Sequence, residues 1–396
     1  MSKNKEYKIQ VKYFNLILLA AFVVIVAVSL GISTVVINRI KEKDAYKGPT
    51  DAAVNTLPTE PYVPTAKDYY DLALESFGKG EYKSALNYAY IMFDMKADTS
   101  MKEDILFKVA DVYVADNNLR AAYYLLENCE IEGLLDKYCS EKVDLKLSLT
   151  KYMDPLDSNY IYMGYYPQTG YKASELPEYV TKATFDEKNF ARVYGVEYTR
   201  VKVGEEYEYF VSEPVRWWIV GSDADNYMVL SDMLLDCKPY NDTLEPVTWD
   251  TCTLREWTNG EFYNNCFNES EKSFISEHKT PPGWNYYYGF TIGEETLDKV
   301  AMITAVSLSD STLVFKAHDT EESMIQRKCL VTDYAKAKGA YVDEEGYGKW
   351  WTATAANKEC LYTINVTHEG IVLIVSYGSV VNKDDICVRP YMTIKK

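Results

Sequence analysis

An uncharged apolar run from Leu16 to Ile37, flanked on both sides by lysine and arginine, constrains this chain more than any other feature. As an α-helix it would rise roughly 33 Å, enough to cross the hydrocarbon core of a bilayer. A cleaved secretory signal has a shorter apolar core followed by small residues. Ala27 and Ser29 give a weak pattern of that kind, but Leu30 to Ile37 carries the apolar stretch past it. The sequence therefore predicts an uncleaved transmembrane anchor at 14–38 behind a cytoplasmic tail, 1–13, with the lipid bilayer as the partner of Leu16–Ile37. Charge does not orient it, because Lys3, Lys5, Lys8 and Lys12 balance Arg39, Lys41, Lys43 and Lys47. A short tail cannot fold, whereas a long domain translocates largely regardless of its charge. The expectation is a single-pass cell-membrane protein with its N-terminus cytoplasmic and its domains outside. Residues 39–64, with Pro49, Pro58, Pro61 and Pro64 among Thr, Ala and Gly, read as an extended stalk.

Beyond the stalk there is room for two ordinary domains. With 59 acidic and 42 basic side chains the net charge is −17, which argues against nucleic acid and against lying flat on anionic lipid. The eight cysteines are dispersed and none forms a C-x-x-C pair, so zinc ribbons and thioredoxin-like sites are unsupported. Their even number permits disulfides outside the cell, with Cys129 and Cys139 the closest pair in sequence; burial as small hydrophobes is the plainer expectation. His278, His318 and His368 are the only histidines, and none stands at metal-ligand spacing from another. No cofactor is expected.

Residues 65–153 predict a small all-α domain. Thr65-Ala-Lys-Asp68 and Ser100-Met-Lys-Glu103 have the form of capping boxes, each opening a helical period. The segment repeats at an offset of 37: Leu72-Ala73 matches Val109-Ala110, Tyr82 matches Leu119, Ala85 matches Ala122, and Gly80 falls where Asn117 does. Gly and Asn best tolerate the left-handed turn that joins two helices. This spacing resembles the tetratricopeptide repeat over about residues 66–130, and the resemblance implies a scaffold for a protein partner. Two repeats bury little surface alone; Asp136 to Met153 could supply a capping helix.

After residue 154 the pattern changes to short strands broken by Gly, Pro, Asn and Asp, with few helices, which predicts an α+β domain at 154–396. Expected strands are 160–165, 215–220, 227–231, 300–305, 362–366, 370–375 and 386–391; expected helices are 253–259, 261–276 and 331–338. All seven tryptophans lie between Trp217 and Trp351. In a strand, neighbours point to opposite faces, so Trp217-Trp218 and Trp350-Trp351 cannot each place both rings on one face.

A motif series runs along this region: Met163-Gly-Tyr-Tyr-Pro-Gln168, Pro214-Val-Arg-Trp-Trp-Ile-Val220, Met228-Val-Leu-Ser231 and Leu235-Asp236. It continues with Thr248-Trp249, Leu254-Arg-Glu-Trp257 and Asn259, Leu297-Asp-Lys-Val300, Trp350-Trp351 and Val388-Arg-Pro390. The series resembles a bacterial family known as domain of unknown function 6273, over nearly all of 156–396. Cys387 stands where that pattern has glycine, and Trp350-Trp-Thr-Ala-Thr where it more often has WWLRS. The family implies no function. The layout is similar, more remotely, to C-type-lectin-like folds. Glu245-Pro-Val and Thr-Trp249-Asp250 only graze the sugar-binding calcium patterns of such folds, lacking the amide oxygens of a cation cage.

The strongest candidate ligand-binding residues are Trp284, Tyr286, Tyr287 and Tyr288, in the segment Pro281 to Phe290, where Pro and Gly favour a loop. Rings at a loop tip form a stacking platform for glycan or peptide. Arg255 and Arg389 could clamp a ligand, though each also suits a structural donor. No catalytic residues stand out. Two readings follow: a membrane-anchored bacterial surface protein whose C-terminal domain recognises glycan, peptide or another envelope protein without catalysis, or a cell-envelope enzyme. The enzyme would be a glycan hydrolase with paired carboxylates or an oxidase of the formylglycine-generating kind, for which Cys329 and Cys360 are the available cysteines.

Overall fold

A computed structural model describes residues 63–396, apart from 155, 311, 316–319, 375–377 and the side chain of Leu147. The expected tail, anchor and nearly all of the stalk lie outside the described residues, as does His318. No helix among the described residues is long and apolar enough to cross a membrane. The described chain is mixed α/β, with helices in its N-terminal part and a β-rich remainder.

Six helices come first: α1 (Ala66–Gly78), α2 (Tyr82–Phe93), α3 (Thr99–Ala115), α4 (Leu119–Glu127), α5 (Leu134–Glu141) and α6 (Leu145–Ser148). Thr65 and Asp68 cap α1 reciprocally. The second expected box does not form: α3 starts one residue before Ser100, with Asp98 at its cap position and no side-chain cap bond, and Glu103 instead pairs with Lys137. Gly80 and Asn117 both take positive φ between helices. Ala73 and Ala110 are fully buried on α1 and α3, and Ala85 and Ala122 on α2 and α4. Alanine there lets the paired helices approach. In place of one capping helix at 136–153, the chain breaks into α5, α6 and a strand.

Eighteen named strands follow among the described residues. The larger sheet takes β1 (Tyr152–Met153), β2 (Tyr160–Lys172), β5 (Glu206–Ser222), β6 (Asn226–Ser231), β18 (Pro390–Lys395) and β13 (Ala301–Met302) in that order. A hairpin, β3 (Phe190–Val193) with β4 (Val196–Val203), pairs through β4 with β5, and β8 (Ile275–Ser276) pairs with β18. The smaller sheet has the order β16 (Ser379–Val380), β15 (Tyr362–Val366), β14 (Trp350–Ala355), β17 (Cys387–Val388) and β7 (Asp236–Cys237), with β14 and β17 parallel. Two short ribbons complete the set: β9 (His278–Thr280) with β12 (Thr296–Asp298), and β10 (Trp284–Asn285) with β11 (Phe290–Thr291).

Strand alternation distributes the tryptophans over three cores. Trp217, Val229 and Met392 face a core completed by Phe262 and Phe267. Val220 and Leu230 face a second core that also receives Trp350, Val366 and Cys387 from the smaller sheet. Trp351, Ala353 and Val388 face a third, with Tyr240 and Trp249. The second ring of each tryptophan pair therefore serves another core: Trp218 packs edge-on against Phe315 in the middle layer, and Trp351 is fully buried.

Several expected elements change. The helix expected over 261–276 is broken, because Asn268 and Glu271 form a capping box that starts a new turn at Glu269 after Phe267 turns extended. Only Ala301–Met302 of the 300–305 strand forms. Within 370–375, Val372 makes a single bridge to Val366. The β3–β4 hairpin was not anticipated.

Candidate functional site

The segment expected as an aromatic loop is a small hairpin. Trp284 pairs with Thr291 and Asn285 with Phe290, and Gly289 closes the turn at φ +63°. Asn285 is the pin. It is fully buried; its Nδ2 donates to Ala356 O (3.2 Å), its Oδ1 accepts from Tyr288 N–H (3.2 Å), and its carbonyl accepts from Gly289 N–H (2.9 Å). Gly283 brings the entry strand against the smaller sheet, where a Cβ would lie 2.7 Å from Thr354 Cα. The backbone is thus fixed while the rings are not enclosed: Trp284 is 48% exposed, Tyr286 37%, Tyr287 55% and Tyr288 42%. Trp284 and Tyr286 rings lie 6.2 Å apart, and Tyr287 meets Tyr288 edge-on at 4.9 Å. The hairpin brings all four sequence-identified residues to one turn.

The other tempting residues are occupied within the protein. Asp298, with no exposed surface, accepts from Trp249 Nε1 (2.9 Å), Thr296 Oγ1 (2.6 Å), Arg255 Nε (2.7 Å) and Asn259 Nδ2 (3.2 Å). Burial alone would raise its pKa, but hydrogen bonds from Thr296 and Trp249 and the charge of Arg255 outweigh that and hold it below the usual carboxylate value. Asn259 also accepts from Lys299 N–H and donates to Val300 O. Motifs far apart in sequence (Trp249, Arg255 with Asn259, and Leu297-Asp-Lys-Val300) therefore meet on one buried carboxylate. Arg389 is buried over the Trp350 ring, and its Nε donates to Ser231 O (3.0 Å).

A second buried ionic group joins the helices to the larger sheet. Glu197 lies between Arg120 (3.3 Å) and Arg192 (2.8 Å), and Arg120 donates to the carbonyls of Cys266 and Asn265. Nearby Glu271 accepts from Gly164 N–H (2.6 Å) and Asn268 N–H (2.8 Å). Burial pushes its carboxyl up to about 7 against those bonds and the charge of Arg120.

Above this group opens a cleft of about 400 Å³ that the sequence did not announce. Its walls are the end of α2 with Asp94, α3, α4 with residues 128–131, and the turn of the β3–β4 hairpin. Tyr194 and Gly195 both have positive φ, the two-residue turn that suits strand twist. Gly195 is required, since a Cβ would strike the carbonyl of Ala121. Tyr194 stacks on Tyr90 at 4.3 Å and donates to Asp94 (2.8 Å); Arg192 lies 3.5 Å over the Tyr124 ring. The apolar–polar alternation of 190–203, split by Tyr194-Gly195, is the sequence signal for this hairpin.

No cluster of three or more His, Cys, Asp or Glu side chains among the described residues could hold a metal ion. Cys129 and Cys139 are unbonded. Cys329 Sγ donates to Asp232 O and Cys360 Sγ lies against Lys358 O.

No curated protein and no solved structure matches this chain. A family model does, over a region narrower than the motif series, which begins in β2 and β5. Residues 224–396, spanning the Asp298 cluster, the aromatic hairpin and the smaller sheet, match the family described as domain of unknown function (DUF6273).

Proposed function

We propose that this is a membrane-anchored bacterial surface protein whose C-terminal domain is a non-catalytic recognition module for glycan or peptide, with the Trp284–Tyr288 hairpin as its contact surface. The observation that carries this reading is a set of four outward rings on a backbone pinned by the buried Asn285. A rigid, pre-formed platform loses little entropy on binding, and exposed aromatic rings offer apolar stacking faces with polar edges. Glu271 and Glu213, the two carboxylates whose pKa burial raises, both accept hydrogen bonds from the chain itself, which favours recognition over a hydrolase or oxidase. The anchor at Leu16–Ile37, with the domains outside the cell, completes the reading from sequence.

The helical part we read as tetratricopeptide-like, on the 37-residue match of Ala73 with Ala110 and Ala85 with Ala122, and the β-rich part as more remotely C-type-lectin-like. The cleft between α2, α3 and the β3–β4 turn would then offer a separate protein partner both charge and apolar wall. The test is retention of the detergent-solubilised full chain on glycan and peptidoglycan arrays. Wild type should be retained on a defined subset and Trp284→Ala/Tyr287→Ala should not. Equal retention of both, or of neither, overturns the assignment.

A further inference from the structure

We propose that Cys237 and Cys387 are a disulfide-forming pair, the site at which this protein is covalently cross-linked by an oxidising thiol–disulfide couple. The two cysteines stand directly opposite each other on antiparallel β7 and β17. Their pairing is of the non-hydrogen-bonded kind. Cys387 N–H donates to Lys349 O on the far side, and the ladder bonds Lys238 N–H to Ile386 O and Leu235 N–H to Val388 O flank the pair instead. Opposed residues of that kind have Cα atoms about 4.5 Å apart and side chains at closest approach, within the span a disulfide bridges. Both thiols are buried, Cys237 at 4% exposure and Cys387 at 0%, and both are reduced in this structure. The contact with Cys237, and then burial, push the Cys387 thiol up; Cys387 is also the deeper of the two, so Cys237 is the sulfur that opens the reaction.

Access comes from the side of Cys237. Its Sγ donates to Asp384 O (3.1 Å), in an exposed turn at 382–384 that covers it. When that turn lifts, the Cys237 thiolate attacks the S–S bond of a small-molecule or protein disulfide and expels one thiolate. Cys387, deprotonated, then attacks the Cys237 sulfur and expels the second. The chain loses two protons and two electrons, and one external disulfide becomes two thiols. The product ties β7, which follows directly on the strand-and-turn after β6, to β17, which enters late in the chain. It closes a long loop, the case in which a cross-link restricts the unfolded chain most.

The test uses the detergent-solubilised full chain, reduced and then exposed to excess oxidised glutathione, first in buffer and again in urea below the unfolding transition. Alkylation under denaturing conditions and peptide mapping read the result. Six of the eight thiols should remain, a single new peptide should join residues 237 and 387, and the melting temperature should rise by several degrees, reversibly with dithiothreitol. Cys387→Ala and, independently, Cys237→Ala should abolish that peptide. The proposal is overturned if all eight thiols survive both conditions, if glutathione stays attached as a mixed disulfide, or if the main cross-link joins Cys329, which shares the middle core with Cys387.

Discussion

Trp249 and Trp284 are each followed by a polar residue, Asp250 and Asn285, yet the first is 4% exposed and the second 48%. The difference lies in where the polar partner sits. Around Trp249 the partner is a buried charge, Asp298, and every donor that reaches it draws its own side chain inward. Around Trp284 the buried group is Asn285, which satisfies only backbone groups and leaves the neighbouring rings outside. An aromatic ring alone does not decide burial; where the nearby buried polar group finds its partners does.

Four measurements can break or sharpen that contrast. The largest effect belongs to Asp298→Ala, which leaves the part-buried Arg255 guanidinium and three other donors without their acceptor. A loss of about 3–5 kcal/mol is expected, or roughly 6–15 °C in thermal melting. A change below about 1 kcal/mol would mean that the cluster is not what holds Trp249 in.

Next comes pH. Glu271 is raised in the fold from its ordinary 4.5 to about 7. Its contribution is therefore fully present below the ordinary value and lost as pH rises through about 7, by at most about 3 kcal/mol. Asp298 is lowered and behaves oppositely, its contribution present above the ordinary carboxylate value and lost in acid. Chemical denaturation between pH 5 and 8 should show falling stability in wild type and a flatter profile in Glu271→Gln. An unchanged slope would show that Glu271 stays ionised throughout.

Asn285→Ala should cost about 1–3 kcal/mol, because Tyr288 N–H and Ala356 O lose their partner, and should abolish array retention along with Trp284→Ala. Retention without the pin would show that the rings need no fixed backbone. Trp284→Ala itself should change stability by less than about 1 kcal/mol, in keeping with its exposure. A drop like that of Asp298→Ala would place Trp284 among the core residues and end the comparison.

Local chemistry was legible where it is self-contained. The Thr65–Asp68 box, the turns at Gly80 and Asn117, and strands 227–231 and 362–366 follow from neighbours in sequence. The aromatic site residues were legible as a cluster, though not as a hairpin, since nothing in Trp284-Asn285 announces that the asparagine is buried against Ala356. Asp298 was visible as a motif residue but not as a hub, because its partners come from positions 249, 255, 259 and 296. The cleft was missed with its hairpin. Its Tyr194 is held by Tyr90 and Asp94, more than ninety residues earlier, a dependence no local pattern carries.

The order of strands has a consequence for how the molecule is made. β17 lies in the smaller sheet between β14 and β7, while β18 lies in the larger one between β6 and β13, with Arg389 alone between them. Neither sheet can close until residues 387–395 are available, since β18 joins β6 to β13, about 70 residues apart in synthesis, and β17 joins β7 to β14, about 110 apart. Such non-local closure folds slowly. Until it happens, the cores around Trp217, Trp350 and Trp351 lack Met392, Cys387 and Val388 respectively. A chain that has reached only residue 386 therefore holds both sheets open.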